Sequence, residues 1–281
     1  MAEELGDLPL ALELAAAYIV TTNQSISSYF DLFRRQRSEL ESGGGRPPVS
    51  VAATWGVAFE EVEKRSPGGA DLLRLFAFLA PDEISLSLLS LGVDLLPPSL
   101  ADVVADEARY SESVSVLRRY SFVHGTADAL SVHFLVQTMV RDRLADDEKR
   151  TWAAAAVRII ARAFTEDTRE GRTEADTAHL LPHAISSVTY AEPLGAAPEV
   201  CARLLNRVGR YLDSRGELTM ARSTLERALR IGEATLGAEH PEVATALNNL
   251  GFVLQGTGDL VAARAHFERA LRISEATLGP E

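Results

Sequence analysis

The chain has 281 residues, 46% of them hydrophobic and only 6% aromatic, enough for two or three compact units with modest cores. Its net charge of −12 repels phosphate backbones and anionic lipid surfaces, which excludes nucleic acid and membrane as default partners. The single cysteine, Cys201, allows no internal disulfide and fits a reducing cytoplasm, and an N-terminus without a basic region predicts no signal peptide and no membrane span.

In chain order, Leu5-Gly6-Asp7-Leu8-Pro9-Leu10-Ala11-Leu12 opens a helix. Pro9 suits the first turn, and Leu10, Leu14, Ala17 and Tyr18 continue one face. A second helix is predicted over residues 27–41, followed by the linker Gly43-Gly44-Gly45-Arg46-Pro47-Pro48. The opening resembles the GLPLAL motif of NB-ARC nucleotide-binding signalling ATPases, with Asp7 inserted after the glycine as in many bacterial members. That resemblance implies that Pro9 packs near the adenine of bound ADP. On the residues alone, Pro9 reads as a helix starter.

Residues 50–146 follow. Thr54 to Phe59 opens an amphipathic helix, and residues 70–80 form a strongly apolar one stopped by Pro81-Asp82. Residues 86–91 and 100–108 read as further helices, and Val114 to Tyr120 as the end of another. Ser121-Phe122-Val123-His124 and Ala129-Leu130-Ser131-Val132-His133 are β-branched and aromatic runs around the turn Gly125-Thr126-Ala127-Asp128, with helix again over 135–144. Helices followed by a small hairpin describe a winged helix. Eight basic against fourteen acidic residues argue against DNA binding, and Arg118 and Arg119 alone make a weak phosphate footprint. The arrangement resembles the winged helix that follows the ATPase core in NB-ARC proteins. In Val132-His133-Phe134-Leu135-Val136-Gln137, the resemblance gives His133 the role of contacting the β-phosphate of ADP, with Phe134 replacing the family's acidic residue. On the residues alone, His133 reads as a core histidine at a strand end.

Residues 147–197 are predicted as a helical connector, with helices over 152–164 and 174–187. His179 and His183 stand four apart, but no cluster at zinc spacing joins them, and no metal is expected.

From residue 198 the chain repeats itself at an offset of 42. Leu205-Asn206-Arg207-Val208-Gly209 matches Leu247-Asn248-Asn249-Leu250-Gly251, and Glu226-Arg227-Ala228-Leu229-Arg230-Ile231 matches Glu268-Arg269-Ala270-Leu271-Arg272-Ile273. Each unit reads as a hairpin of two helices. In the second, one helix starts at Pro241, Gly256-Thr257-Gly258 breaks it, and another runs from Leu260 to Gly279. Gly251 is expected where the helices approach closely, facing Ala263 and Ala270, and Glu226/Arg230 and Glu268/Arg272 as i,i+4 pairs. These units resemble tetratricopeptide repeats in the longer-period form of kinesin light chains, of which Leu236-Gly237-Ala238-Glu239-His240-Pro241-Glu242-Val243-Ala244 is typical. The resemblance implies a concave groove that binds a protein or peptide. Asn249 matches an asparagine that clamps peptide backbones, Arg207 replaces it in the first unit, and Asn248 and Phe252 complete the expected groove. The array stops at Gly279-Pro280-Glu281, where a third unit is expected.

Neither Lys64 nor Lys149 stands in a P-loop, and no nucleophile elbow is present, so no catalytic residue is expected. The fold expected is mainly α: a short helical segment, a winged-helix domain with a small β-hairpin, then an α-solenoid of tetratricopeptide-type hairpins. The boundaries expected are 1–42, the linker 43–49, 50–146, 147–197 and 198–281. As family inference, the chain is the regulatory and protein-interaction portion of an NB-ARC switch. It binds no cofactor alone, and ADP or ATP binds once an ATPase core, in cis or in trans, supplies the phosphate-gripping part. The alternatives are a stand-alone adaptor without a nucleotide role and a winged-helix DNA-binding regulator.

Overall fold

The protein's structure, a computed structural model, describes residues 5, 8–42, 49–164 and 174–278. The expected linker at 43–48 and the expected helix stop at Gly279 lie outside the described residues. The chain divides into two compact units, Met1–Ala77 with Pro81–Ala145, and Phe78–Ala80 with Asp146–Glu281.

In the first unit, helices α1 (Pro9–Thr22) and α2 (Ile26–Ser42) pack on α3 (Val49–Arg65). Pro9 occupies the first helical turn, and Asn23 ends α1 in the left-handed region at φ 53°. Tyr18 lies 5.6 Å from Tyr29 and 6.4 Å from Tyr120, ring to ring, which ties these helices to the rest of the unit.

Helix α4 (Pro67–Phe76) begins three residues before the expected start and stops four before the expected end. Ser66 sets the start: its hydroxyl accepts the Gly69 N–H at 3.1 Å, a cap worth about 1 kcal/mol, with Pro67 in the first turn. Phe78, Leu79 and Ala80 are apolar because they are buried in the second unit, not because they continue the helix.

Strand β1 (Ile84–Ser85), helix α5 (Ser87–Ser90) and a 3-10 turn (Val93–Leu95) follow. The helix expected over 100–108 is two helices, α6 (Pro98–Val104) and α7 (Glu107–Arg119). The Asp106 carboxylate divides them by accepting the N–H groups of Ala108 and Arg109 at 3.0 and 3.1 Å. Then come β2 (His124–Gly125), β3 (Ala129–Ser131) and α8 (Phe134–Arg143). The predicted hairpin is present, with far shorter strands, and β1 adds to its other edge. The antiparallel order is β1-β3-β2, with Ile84 opposite Leu130 and His124 opposite Ser131.

In the second unit, α9 (Asp146–Ala163) packs on α10 (Glu174–Ala191), and Phe78 meets Tyr190 edge-on at 6.1 Å. The repeats form adjacent helix pairs, α11 (Pro198–Ser214) with α12 (Leu218–Leu236) and α13 (Pro241–Gly256) with α14 (Leu260–Leu278), and α12 packs on α13. Gly209 and Gly251 hold equivalent close approaches. A Cβ would stand 2.4 Å from Leu225 Cγ at the first and 2.5 Å from Phe267 Cε1 at the second. The residue facing Gly251 is therefore Phe267; Ala263 and Ala270 are buried nearby in the same helix. The expected ion pairs also shift. Glu226 binds Arg222 at 2.9 Å and Glu268 binds Arg264 at 2.7 Å, while Arg230 reaches Glu192 at 3.4 Å. Each carboxylate takes the arginine one turn before it, not the one after.

Candidate functional site

The repeat unit contains a groove of about 440 Å³ between α11 and α13, over α12. Small residues, Ala202, Ala228, Gly232 and Ala246, line it beside Leu236, Val243 and Thr245. Asn206 lines it and accepts the side-chain N–H of Asn249 at 2.9 Å. Asn249 is half-buried and lies outside the lining; it touches the groove only through this amide bridge from the second repeat to the first.

Arg207 also lines the groove, with a second task. Its Nη1 donates to the Ala161 carbonyl at 2.8 Å and lies 3.5 Å from that of Phe164, at the C-terminus of α9. A cation there satisfies carbonyls without intrahelical partners and meets the negative end of the helix dipole. Asn248 and Phe252 are exposed on α13 outside the lining, and Phe252 packs edge-on against Phe267 at 5.2 Å. The groove also holds residues that sequence reading passed over: Asn206, Arg203, Arg210 and Glu242. The signal for the arginines was present, because 203, 207 and 210 fall on one helical face.

In the first unit, His133 is the N-cap of α8. Its Nδ1 accepts the Leu135 N–H at 3.2 Å and its ring stacks on Phe134 at 4.8 Å. Because Nδ1 accepts, the neutral ring carries its proton on Nε2. His133 is exposed, so the core reading of this residue gives way to a helix cap. Pro9 is exposed at the start of α1. The two stand on different elements. Helix α1 is tied to the hairpin side of the unit by Glu13, 3.8 Å from His124 on β2, and by Thr21, whose hydroxyl donates to the Arg119 carbonyl at 3.1 Å.

The two arginines weighed as a phosphate footprint are engaged by the protein itself. Arg118 donates to the Thr126 carbonyl, and Arg119 pairs with Glu112 at 2.7 Å. Burial, with help from Glu192 and against Arg227, pushes the Cys201 thiol up to about 11, which makes it a poor nucleophile. Among the described residues no group of three potential metal ligands comes together, and no helix is long and apolar enough to cross a membrane.

Residues 200–276 match the tetratricopeptide repeat. This segment coincides with α11 to α14 and contains the groove, and a repeat of this type implies a protein-interaction role. Residues 60–149 match a domain of unknown function (DUF7779), which takes in the three-stranded sheet and the helices around it. Over 258 residues the chain is 25% identical to a nucleotide-binding leucine-rich repeat (NLR)-like protein of Hyaloscypha variabilis. The alignment covers 86% of this chain and 24% of that protein, so the chain spans about a quarter of the length of the relative it matches.

Proposed function

We propose that this chain is the regulatory and partner-binding portion of a nucleotide-dependent signalling switch. The observation that carries the reading is the groove between α11 and α13, lined by several small residues and by Asn206, which is held by Asn249 of the second repeat. It is built to take a protein segment by its backbone. The relative's printed name, nucleotide-binding and NLR-like, supports a signalling context.

The first unit fits the swinging element of such a switch. Its order of helix, β1, helices, β2 and β3, with β3 in the middle of the sheet, supports the winged-helix reading. His133 points an Nε2–H outward from a capped helix start, a donor suited to a phosphate oxygen delivered by an ATPase core. Pro9 would then border the adenine. Grip on the phosphates belongs to that core, since Lys64 and Lys149 both follow glutamates and neither sits in a glycine-rich loop.

Two measurements test this. Selection from a random peptide display library on the immobilised chain is expected to enrich peptides that the Asn206→Ala/Asn249→Ala variant no longer retains; equal enrichment on both would remove the groove from the account. Titration calorimetry of ADP into the chain alone is expected to give no saturable heat, and micromolar affinity would show that the phosphate grip lies within this chain.

A further inference from the structure

We propose that two copies of this chain pair through helix α14, antiparallel, with Phe267 of each copy against Leu271 of the other and Arg264 of each paired with Glu275 of the other. The surface is separate from the groove, so this inference stands or falls apart from the function proposed above.

Leu260, Arg264, Phe267, Leu271 and Glu275 follow one another at spacings of four, three, four and four, which sets them on one stripe of α14. Leu260 is 62% exposed and Leu271 59%. Phe252 of α13, 53% exposed, widens the stripe by packing edge-on against Phe267 at 5.2 Å. The internal repeat shows what such a stripe is built to hold. At the offset of 42, Leu271 corresponds to Leu229 of α12 and Glu275 to Glu233. There Leu229 packs against the buried cluster of Val243, Ala244, Leu247, Ala270 and Ile273, and Glu233 pairs with Arg269 at 2.5 Å. In the first repeat these positions therefore hold neighbouring helices, by a leucine in an apolar contact and a glutamate on an arginine. On α14 both are exposed.

Charge selects the occupant. Arg264 stands five residues before the midpoint of Phe267 and Leu271, and Glu275 six after it. Reversing a second α14 about that midpoint brings opposite charges together at both ends of the apolar contact. The one-residue difference is about 1.5 Å of rise, within reach of two long side chains. A parallel pairing sets Arg264 on Arg264 and Glu275 on Glu275, which repel. Arg264 is held within the helix by Glu268 at 2.7 Å, but both side chains are exposed, and such a pair contributes too little to oppose the exchange. The contact is the same patch on both copies, so it closes at two chains.

Sedimentation equilibrium of the full chain from about 1 µM to about 300 µM is expected to move the mass from 30.4 kDa towards twice that value. Leu271→Glu is expected to weaken pairing at least about tenfold, with the circular-dichroism melt of the dilute chain unchanged. Arg264→Glu and Glu275→Arg are each expected to weaken it about fivefold, because each sets like charges face to face. An equimolar mixture of those two variants is expected to recover the parent affinity, because every facing pair is then opposite again. The mass of one chain at every concentration overturns the proposal and leaves the stripe to a helix from elsewhere. Pairing that Leu271→Glu leaves intact overturns it too, as does a mass that climbs past two chains. A mixture that pairs no better than the single variants also overturns it, since the arginine–glutamate contacts then do not orient the helices.

Discussion

Two histidines start helices in the same way. Nδ1 of His133 accepts the N–H of Leu135, and Nδ1 of His240 accepts that of Glu242 at 3.1 Å. His240→Ala should therefore cost about 1 kcal/mol in urea unfolding, and His240→Asn should restore most of it, since an asparagine oxygen caps equally well. At His133 the same pair of variants separates two roles. Asparagine keeps the cap and removes the ring Nε2–H, so a nucleotide role disappears in His133→Asn while stability is kept. Cys201 gives a pH test. Its folded value lies above its unfolded one, so the native state holds the proton longer, and stability is full below pH 9 and falls as pH rises towards about 11. The loss is on the order of 2 kcal/mol, and Cys201→Ala should flatten that alkaline slope. At this scale the sequence was legible where a residue's job is local, as for Pro9 in its first turn. It was not legible where the partner comes from another helix. Nothing near Asn249 announces Asn206, and nothing near Arg207 announces the carbonyls at the end of α9.

Among elements, the repeat was read almost whole, because an offset of 42 fixes four helices and their breaks together. Strand β1 was missed because two residues carry no period; it exists only through its pairing with β3. The break between α6 and α7 rests on the Asp106 carboxylate, which in sequence reads as one more charge on a helix face. The glycine approach tests the packing of the helix pairs. Gly251→Ala drives a methyl to within 2.5 Å of the Phe267 ring and should destabilise the second repeat by about 1–3 kcal/mol. Phe267→Leu shortens the opposing side chain, so Gly251→Ala/Phe267→Leu should cost less than the two single changes summed. Strict additivity in urea unfolding would mean that Phe267 is not what limits the space at Gly251.

The whole molecule carries two cores, and each contains one of the two tryptophans. Trp55 is buried in the first, stacked on Phe59 at 4.7 Å, and Trp152 is buried in the second. Phe78 comes from the sequence of the first unit but packs in the second, where it is 1% exposed and edge-on to Tyr190. That placement explains why an apolar run that reads as helix stops short at Phe76, and it makes a prediction across the two cores. In Trp55→Phe the remaining fluorescence follows the second unit, and in Trp152→Phe it follows the first. Adding Phe78→Ala should cost about 3–5 kcal/mol in the Trp152 signal, because a filled site loses an aromatic ring, and should leave the Trp55 midpoint nearly unchanged. Denaturation midpoints that move together in both backgrounds would show one cooperative core where the packing draws two.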